Sequence, residues 1–343
     1  MSSIREWYDK KVKDSNEMGD GLMFTVEVNG VNDAYDKIVR MVDRMGSVSS
    51  SRNGAVKALP GPLLMRCNWP KRRVLFDEKR DANPVFHLME SLWMLAGRND
   101  TAFVQQFNSN IASYSDDGTS FNAAYGFRWA NHFGYDQLDI AVAMLRANPD
   151  DRRVVISMWD ATQDLNSASK DIPCNTQIML RCIMQAKTPV LHMTTVNRSN
   201  DMVWGLCGAN FVHLTILHEW LASACDMHLG QWNHMSNNAH LYERHWKLAK
   251  GIQANPHLSY APYEAYSTIC EGGAQLFRKE CNALVDGQED DFDDLFMYNT
   301  VAPMLSSWRA YKAGDKATAL YEASCIDAWD WRKATIEWYK RRK

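Results

Sequence analysis

Two consecutive strand patterns constrain the fold of this 343-residue chain more than any other feature of its sequence. They cover residues 176–185 and 190–196, and residues 186–189, which include a proline, form a turn between them. So short a connection cannot carry a crossover between parallel strands, and we therefore predict an antiparallel pair. The apolar run at 154–159 is short enough to be another buried strand. The sequence thus predicts a sheet with antiparallel strands.

Helical patterns surround these strands. Residues 23–29 alternate apolar and polar side chains, as a strand does, and residues 33–45 follow with apolar residues at helical spacing. Asn83 followed by Pro84 is a typical helix start. The Ser- and Gly-rich residues 46–61 are predicted to form a loop. A further strand and three further helices are expected at residues 232–241, 136–147, 211–225 and 243–252.

The pattern becomes polar and broken after Pro256. Residues 286–294 are strongly acidic and are predicted to be a solvated connector. Helices are expected at residues 299–312, 315–324 and 326–341. We therefore predict an α/β (α+β) fold, with a mixed or antiparallel central sheet flanked by helices. Residues 1–255 form the main domain in this prediction, and residues 256–343 form a helical extension packed on it.

Composition argues against several classes of protein. The eight cysteines are scattered without a CxxC pair or a Cys/His cluster, so we expect neither a disulfide scaffold nor a metal site. No apolar run is long enough to span a membrane, and residues 1–6 lack the apolar core of a signal peptide, so a cytoplasmic protein is expected. A net charge of −3 argues against direct nucleic-acid binding, although it is compatible with a local phosphate pocket.

Cys174 is the candidate nucleophile. It follows Pro173, which restricts the backbone, and it lies directly before the first strand of the pair. A thiolate is a strong nucleophile at neutral pH when nearby positive charge lowers the pKa of its thiol. A cysteine-dependent amide hydrolase would need a histidine base near this thiol, and the ten histidines leave that alternative open.

Several arginines are candidate phosphate ligands. Arg198 and Ser199 supply a guanidinium and a hydroxyl, a pair that suits phosphate oxygens. Arg52 lies in the glycine-bearing segment 46–61. Arg152 and Arg153 come directly before the strand at 154–159, where they could bind phosphate in their own subunit or across a dimer interface.

Other polar residues could recognise a base, bind a sugar or transfer a proton. The planar amide of Asn210 complements the edge of a pyrimidine. His240 and Tyr242 are two residues apart, so on a strand they face the same side, as two groups that bind one sugar hydroxyl would. Glu90 lies beside the apolar stripe of its helix and becomes a proton-relay candidate if it faces a pocket.

Taken together, these motifs resemble those of the thymidylate synthases and the related phage deoxypyrimidine hydroxymethylases. The resemblance covers about residues 30–250 in the order of the family. The matching residues are Ser51-Arg52-Asn53-Gly54, Glu90-Ser91-Leu92-Trp93, Ala124-Tyr125-Gly126, Asn148-Pro149-Asp150-Asp151-Arg152-Arg153, Pro173-Cys174, Arg198-Ser199-Asn200-Asp201 with Gly205, Asn210, and His240-Leu241-Tyr242.

The resemblance implies a thymidylate synthase-like catalytic domain that acts on a deoxypyrimidine monophosphate. In that chemistry Cys174 adds to C6 of the pyrimidine, and C5 then attacks the methylene of 5,10-methylenetetrahydrofolate. It also implies a homodimer with shared active sites, because Arg152 and Arg153 would reach the partner's phosphate. The other implied roles are phosphate binding by Arg52, Arg198 and Ser199, sugar binding by His240 and Tyr242, proximity to folate and base for Asp201 and Gly205, and proton transfer by Glu90 and Tyr125.

Two departures from the family's pattern bear on the product. Ordinary synthases carry tryptophans shortly before the Tyr-Gly motif, where this chain reads Ile111-Ala112-Ser113-Tyr114-Ser115-Asp116. Those synthases also end in a short apolar tail, whereas this chain continues into helices and a basic terminus. Both changes favour attack by water over hydride transfer, so the expected product is a 5-hydroxymethyl nucleotide. The alternative product is dTMP, made by a true thymidylate synthase.

Base preference depends on Asn210. An amide at this position favours dUMP, whereas the family's cytosine-type hydroxymethylases carry an aspartate. Counted from Gly205, Asn210 lies one residue late, so Ala209 occupies the strict position unless the Cys207-Gly208 turn absorbs an insertion. A dCMP hydroxymethylase is therefore a further alternative. A family-shaped binding protein without turnover is an alternative from a different class. Phage-type membership would put the protein in a host cytoplasm.

Overall fold

The computed structural model describes residues 23–254, 267–289 and 292–342. Predictions for the N-terminal residues 1–6, for Pro256 and for Asp291 of the acidic segment lie outside the described residues. Within the described ranges, runs of strands and runs of helices follow one another in a mixed α/β arrangement. This arrangement confirms the predicted fold class.

The larger of two sheets is six-stranded among the described residues, with strand order β1-β4-β9-β7-β6-β5. β6 and β7 form the predicted antiparallel pair. Their turn is tighter than predicted: Ala186 and Lys187 have φ values of 48° and 74°, as a two-residue hairpin turn requires. The strands are β1 (Phe24–Val28), β4 (Leu63–Cys67), β5 (Val155–Ser157), β6 (Asn175–Gln185), β7 (Thr188–Asn197) and β9 (His228–Ser236).

The smaller sheet corrects two predictions. Its strands, in spatial order, are β2 (Ser47–Ser51), β3 (Gly54–Ala58), β10 (Ala239–Tyr242) and β8 (Asn200–Asp201). The loop predicted at 46–61 is therefore wrong, since β2 and β3 form a hairpin with Arg52 and Asn53 at its tip. Every residue of β2 is exposed, so no apolar alternation marked it. The single strand predicted at 232–241 is two strands, one in each sheet.

The helices were predicted more accurately than the strands. Asn83 caps the second of them, because its side chain accepts a hydrogen bond from the amide of Phe86. The helices that precede the C-terminal region are α1 (Val31–Met45), α2 (Pro84–Leu95), α3 (Thr101–Gln105), α4 (Tyr125–Ala130), α5 (Gln137–Ala147), α6 (Ala161–Asp164), α7 (Asn210–Ala224) and α8 (Trp246–Ala254).

Among the described residues of the C-terminal region, four α-helices follow: α9 (Ala274–Val285), α10 (Ala302–Lys312), which continues from a π-helical turn at Met297–Val301, α11 (Lys316–Ser324) and α12 (Trp329–Lys340). The last three match the prediction, and α9 was not predicted. The acidic segment is more than a solvated connector, because Asp294 is fully buried and accepts hydrogen bonds from the amides of Gly272, Phe296 and Met297. A carboxylate with three amide donors stabilises the turn that it occupies.

The C-terminal helices pack on α2, the helix that carries Glu90. Contacts with α2 come from α9, α10 and α12, and every residue of α2 is buried. Polar contacts tie the C-terminal helices to the segments on either side of α2: the Nε1 of Trp308 donates to the carbonyl of Gln106 at 3.0 Å, and Arg341 and Arg342 form ion pairs with Asp81. The orientation of α2 therefore depends on the C-terminal helices.

One face of the larger sheet packs on α1 and α7, and the other face is partly exposed. Side chains alternate along the strands, with Trp232 buried and its neighbour Met235 on the half-exposed face. Met179, Val196 and Leu64 lie on that same exposed face. They line a groove of about 480 Å³.

Asp330 at the start of α12 predicts a pH-dependent stability. Burial raises the pKa of its carboxyl from 3.8 to about 6, although Arg73 nearby opposes the shift. Because the pKa of Asp330 is higher in the folded state than in the unfolded state, the protonated carboxyl stabilises the fold relative to the ionised one. This stabilisation is fully present at low pH and is lost as the pH rises through the folded-state pKa. Between about pH 4 and pH 7, the stability of Asp330→Asn relative to wild type should therefore rise by on the order of 3 kcal/mol.

Urea denaturation at the two pH values measures this difference. Asp327→Asn, which changes an exposed carboxylate in the same turn, should leave the pH dependence of the wild type unaltered. A constant difference between Asp330→Asn and wild type across this pH range would contradict the expectation.

Across the described residues, no helix has both the length and the apolar character that crossing a membrane requires.

Candidate active site

Two adjoining cavities lie where the sheets meet α2 and α7. The larger has a volume of about 760 Å³ and the smaller about 240 Å³. Their common wall is formed by Tyr114, Tyr125, Asp171, Ile172, Cys174 and Asn210. A molecule bound in the larger cavity would therefore present one edge to the smaller cavity, beside the Cys174 thiol.

Most of the predicted site residues line these cavities. Glu90 lines the smaller one. Arg152 and Arg153 line neither; Arg153 pairs with Asp151 of its own chain, and Arg152 is exposed. The residues that line the larger cavity are Arg52, Tyr125, Cys174, Arg198, Ser199, Asp201, Gly205, Asn210, His240 and Tyr242.

Arg198 holds the backbone that presents Cys174. Its Nε donates to the carbonyl of Pro173 at 2.9 Å, and its Nη2 donates to the carbonyl of Ile172 at 3.0 Å. Burial raises the pKa of the Cys174 thiol, and this effect outweighs the opposing charges of Arg198 and Arg52. The condition for an activated thiolate, a lowered thiol pKa, is therefore not met in the free site, because desolvation of the thiol outweighs its stabilisation by charge.

Guanidinium groups reach the larger cavity from two elements. Arg52, at the tip of the β2–β3 hairpin, donates to the carbonyl of Lys170 at 3.0 Å, and Arg198 lies over the ring of Trp159. Both side chains are exposed, with Ser199 beside them. This end of the cavity is thus positively charged and suits an anionic group.

His240 and Tyr242 share one face of β10, as the strand period requires. Their ring centroids are 5.0 Å apart in an edge-to-face arrangement. Burial lowers the pKa of His240 despite the nearby Asp201, so the imidazole is neutral at neutral pH. Neutral imidazole and phenol groups both donate and accept hydrogen bonds, as recognition of a hydroxyl requires.

A π-helical segment, Met202–Ala209, directly precedes Asn210, and a π-helical turn holds more residues than an α-helical turn. Cys207 and Gly208 have non-helical backbone angles within it. Asn210 consequently lines both cavities, whereas Ala209 lines only the smaller one. Asn210 Nδ2 donates to Asn200 Oδ1 at 3.2 Å, which orients the amide.

Gly205 makes this arrangement possible. A Cβ atom at position 205 would lie 2.2 Å from Asn200 Oδ1, well inside van der Waals contact. Asp201 also stabilises the local backbone. Its carboxylate accepts hydrogen bonds from the amides of Val203 and Trp204 and so caps the π-helical segment.

Tyr125 and Asp171 join α4 to the Cys174 loop. The hydroxyl of Tyr125 accepts a hydrogen bond from the amide of Asn175 at 3.4 Å, and Asp171 accepts one from the amide of Ala123 at 2.9 Å. Burial raises the pKa of Tyr125, which therefore keeps its proton at neutral pH.

His213 lines the smaller cavity and was missed from the sequence. Its Nε2 lies 2.9 Å from Glu90 Oε2. The available signal was its spacing, three residues after Asn210, which directly precedes the helix predicted at residues 211–225; if that helix begins one residue earlier, both side chains lie on one helix face. Without the crossing of α2 and α7, nothing in the sequence connected His213 to Glu90.

The segment that lacks the family's tryptophans contributes Ile111 and Tyr114 to the smaller cavity. Tyr114 is about half exposed, so water reaches this wall. The remaining lining is largely apolar and aromatic, including Trp93 and Phe121. In the described part of the chain, no cluster of His, Cys, Asp and Glu side chains has the composition of a metal site.

Comparison with known proteins identifies the family. The sequence profile described as thymidylate synthase matches residues 33–265, more than half of the chain. The chain belongs to the thymidylate synthase family. Enzymes of this family use folate-derived one-carbon donors. Membership confirms the predicted resemblance and decides against the amide-hydrolase alternative.

Relatives of this thymidylate synthase family member include phage and archaeal proteins. It is 40% identical over 342 residues to the deoxyuridylate hydroxymethyltransferase of Pseudomonas phage M6, covering 94% of this chain and 95% of that protein. It is 33% identical over 231 residues to the protein of the same name from Bacillus phage SP01, covering 64% of this chain and 59% of that protein. A putative thymidylate synthase of Methanothermobacter thermautotrophicus is 26% identical over 239 residues, which cover 67% of this chain and 99% of the relative.

Proposed function

We propose that this protein catalyses the folate-dependent C5 hydroxymethylation of dUMP to 5-hydroxymethyl-dUMP. The observation that carries the proposal is the wall between the two cavities, which contains both the Cys174 thiol and the Asn210 amide. Similarity to the Pseudomonas phage M6 enzyme along nearly the full length of both chains supports the same reaction.

Cys174 is the nucleophile of the proposed reaction. Its sulfur bonds to C6 of the pyrimidine, and the electron pair moves to C5, which becomes nucleophilic. Arg52, Arg198 and Ser199 bind the phosphate at the positive end of the larger cavity, while His240 and Tyr242 bind the sugar. Glu90 and Tyr125 transfer protons at the wall beside Cys174, and Asp201 holds the π-helical segment against the base.

Folate, as 5,10-methylenetetrahydrofolate, supplies a one-carbon unit at the oxidation level of formaldehyde. The smaller cavity fits a flat heteroaromatic ring, because Trp93 and Phe121 line it. The buried Nε1 of Trp93 also makes no hydrogen bond to a described residue, so it can donate to a polar ring. Water reaching the half-exposed Tyr114 supports hydration as the final step, rather than hydride transfer.

Asn210 recognises uracil in this proposal. One Nδ2 hydrogen is used by Asn200, which leaves the other for O4 of uracil and leaves Oδ1 for the N3 hydrogen. Cytosine reverses this pattern, so it would require the amide to flip away from Asn200.

The substrate test compares dUMP and dCMP, each tritiated at C5, in the presence of the folate donor. Loss of tritium to water reports the attack of C5 on the one-carbon unit. We expect release from dUMP to exceed release from dCMP, and release from neither nucleotide would contradict the proposed chemistry.

Asn210→Asp should shift preference toward dCMP by on the order of a hundredfold in the ratio of kcat/KM values, because a carboxylate accepts from the cytosine amino group and repels O4 of uracil. The matched control is Asn53→Asp, the same change at the hairpin tip of the larger cavity, which should affect both nucleotides equally. An unchanged preference in Asn210→Asp would assign base recognition to another residue.

A homodimer with shared active sites is part of this proposal. The half-exposed sheet face, with Leu64, Met179 and Val196, is apolar enough to bury against a second copy. Arg152 and Arg153 precede β5 at the edge of the same sheet and line neither cavity of their own chain. These positions support a role for both arginines at the partner's phosphate.

The division of the chain is likewise a proposal. Residues 1–255 would form the catalytic domain and residues 256–343 a helical extension packed on it. The packing of α9, α10 and α12 on α2 supports a role for the extension in positioning Glu90.

A further inference from the structure

Glu90 and His213 face each other across the crossing of α2 and α7. Glu90 Oε2 lies 2.9 Å from His213 Nε2, and both residues line the smaller cavity beside Cys174. Glu90 is 9% exposed and His213 is 3% exposed. A buried carboxylate next to a buried imidazole is costly to maintain unless both take part in further interactions.

The two side chains are close, but they do not form an aligned hydrogen bond with each other. No described residue forms an aligned hydrogen bond with Glu90 Oε2 or with either ring nitrogen of His213. His218, on the same helix, differs in two ways: its Nε2 lies 2.8 Å from the carbonyl of Leu191, although its Nδ1 has no partner among the described residues, and it lines neither cavity. Polar atoms this deeply buried normally have partners, but the described residues supply none for Glu90 Oε2 and the two ring nitrogens of His213.

We propose that His213, oriented by Glu90, is the general base that activates water for attack on the one-carbon group at C5 of the Cys174-bound nucleotide. This inference rests on the proposed hydroxymethylase function and assigns its last step to a residue. A water molecule bound to His213 would also supply the hydrogen-bond partner that the buried Glu90–His213 pair lacks.

The Glu90 carboxylate determines which nitrogen acts. A carboxylate oxygen beside Nε2 favours the tautomer that carries its proton on Nε2, which leaves the lone pair on Nδ1. Nδ1 has no hydrogen-bond partner among the described side chains and backbone groups. Nε2 has no aligned partner either, but it lies beside the Glu90 carboxylate, so Nδ1 is the nitrogen that accepts a proton from water.

The hydration step conserves atoms and electrons. The oxygen of water bonds to the exocyclic methylene carbon at C5, and one proton of that water passes to His213 Nδ1. The π electrons of the exocyclic double bond move toward the C4 carbonyl oxygen. They return to form the C5–C6 double bond as the bond from C6 to the Cys174 sulfur breaks. The thiolate is regenerated, and His213 later releases its proton to solvent.

The test separates hydration from the earlier steps. In His213→Gln, a side chain of similar polarity can still contact Glu90, but an amide does not accept a proton at neutral pH. We expect tritium release and dUMP affinity to be retained. The ratio of hydroxymethyl product to tritium released in a single turnover should fall at least about a hundredfold, as loss of a general base requires.

Two further readouts distinguish a chemical role from a structural one. Mass spectrometry of acid-quenched protein should show a Cys174 adduct that carries the one-carbon group in His213→Gln and not in wild type. Added imidazole should restore the product ratio in His213→Ala, because it supplies the missing base in the space that the truncation leaves. The matched control, His218→Gln, should leave the product ratio unchanged.

An unchanged product ratio in His213→Gln would overturn the inference, and so would a fall in His213→Ala that imidazole does not reverse. The proposed function fails by a different result, namely wild-type protein that releases tritium and forms no hydroxymethyl product.

Discussion

Replacing Cys174 with alanine is expected to lower tritium release from dUMP by at least about ten-thousandfold, because Cys174 supplies the thiol that lines both cavities among the described residues. Nucleotide affinity should change little, since the phosphate and sugar contacts belong to other side chains. Isothermal titration of dUMP together with the tritium assay measures both quantities.

The control for this variant is Cys325→Ala, which removes an exposed thiol after α11, far along the chain from the site. It should retain wild-type tritium release. Cys174→Ala protein that still releases tritium would contradict the covalent mechanism. A family-shaped binding protein without turnover would bind dUMP equally well in both variants and release no tritium even as wild type.

Mixed dimers should recover activity that each parent lacks. Arg152→Ala/Arg153→Ala is expected to lose at least about a hundredfold in kcat/KM, because the partner's phosphate loses two charge-assisted contacts. In an equal mixture with Cys174→Ala, half of the dimers are hybrids, and one of the two sites in each hybrid keeps every residue. Activity should therefore rise to about a quarter of the wild-type value.

The control mixture combines Cys174→Ala with Arg198→Ala. Arg198 contacts the Cys174 loop of its own chain, so neither site of a hybrid is complete and no recovery is expected. If the Arg152→Ala/Arg153→Ala mixture shows only the sum of its parents' activities, each site is built from one chain.

Most of the fold was predicted from apolar and polar patterns within single strands and helices. The β6–β7 hairpin was predictable because two long apolar runs flank a connection that only a tight turn can make. The β2–β3 hairpin was not, because its serine-rich first strand is wholly exposed and shows no alternation. The burial of Asp294 was also unpredictable, since its amide donors come from residues up to 22 positions away.

The residues of the candidate site also fall into a predictable and an unpredictable group. Motif residues such as Cys174 and Asn210 were found because their order matches a family, and the structure brings them into one wall. The π-helical segment before Asn210 was not predictable, because its non-helical residues Cys207 and Gly208 carry no distinct sequence pattern. The thiol pKa and the Glu90–His213 pair depend on burial between distant elements, which no linear spacing reports.

The most direct test of the account is the identity of the product formed from dUMP and 5,10-methylenetetrahydrofolate in heavy-oxygen water. Mass spectrometry should show a nucleotide that has gained a hydroxymethyl group whose oxygen comes from the solvent, together with tetrahydrofolate. A nucleotide that has gained a methyl group, with dihydrofolate formed in equal amount, would contradict the account and indicate a thymidylate synthase.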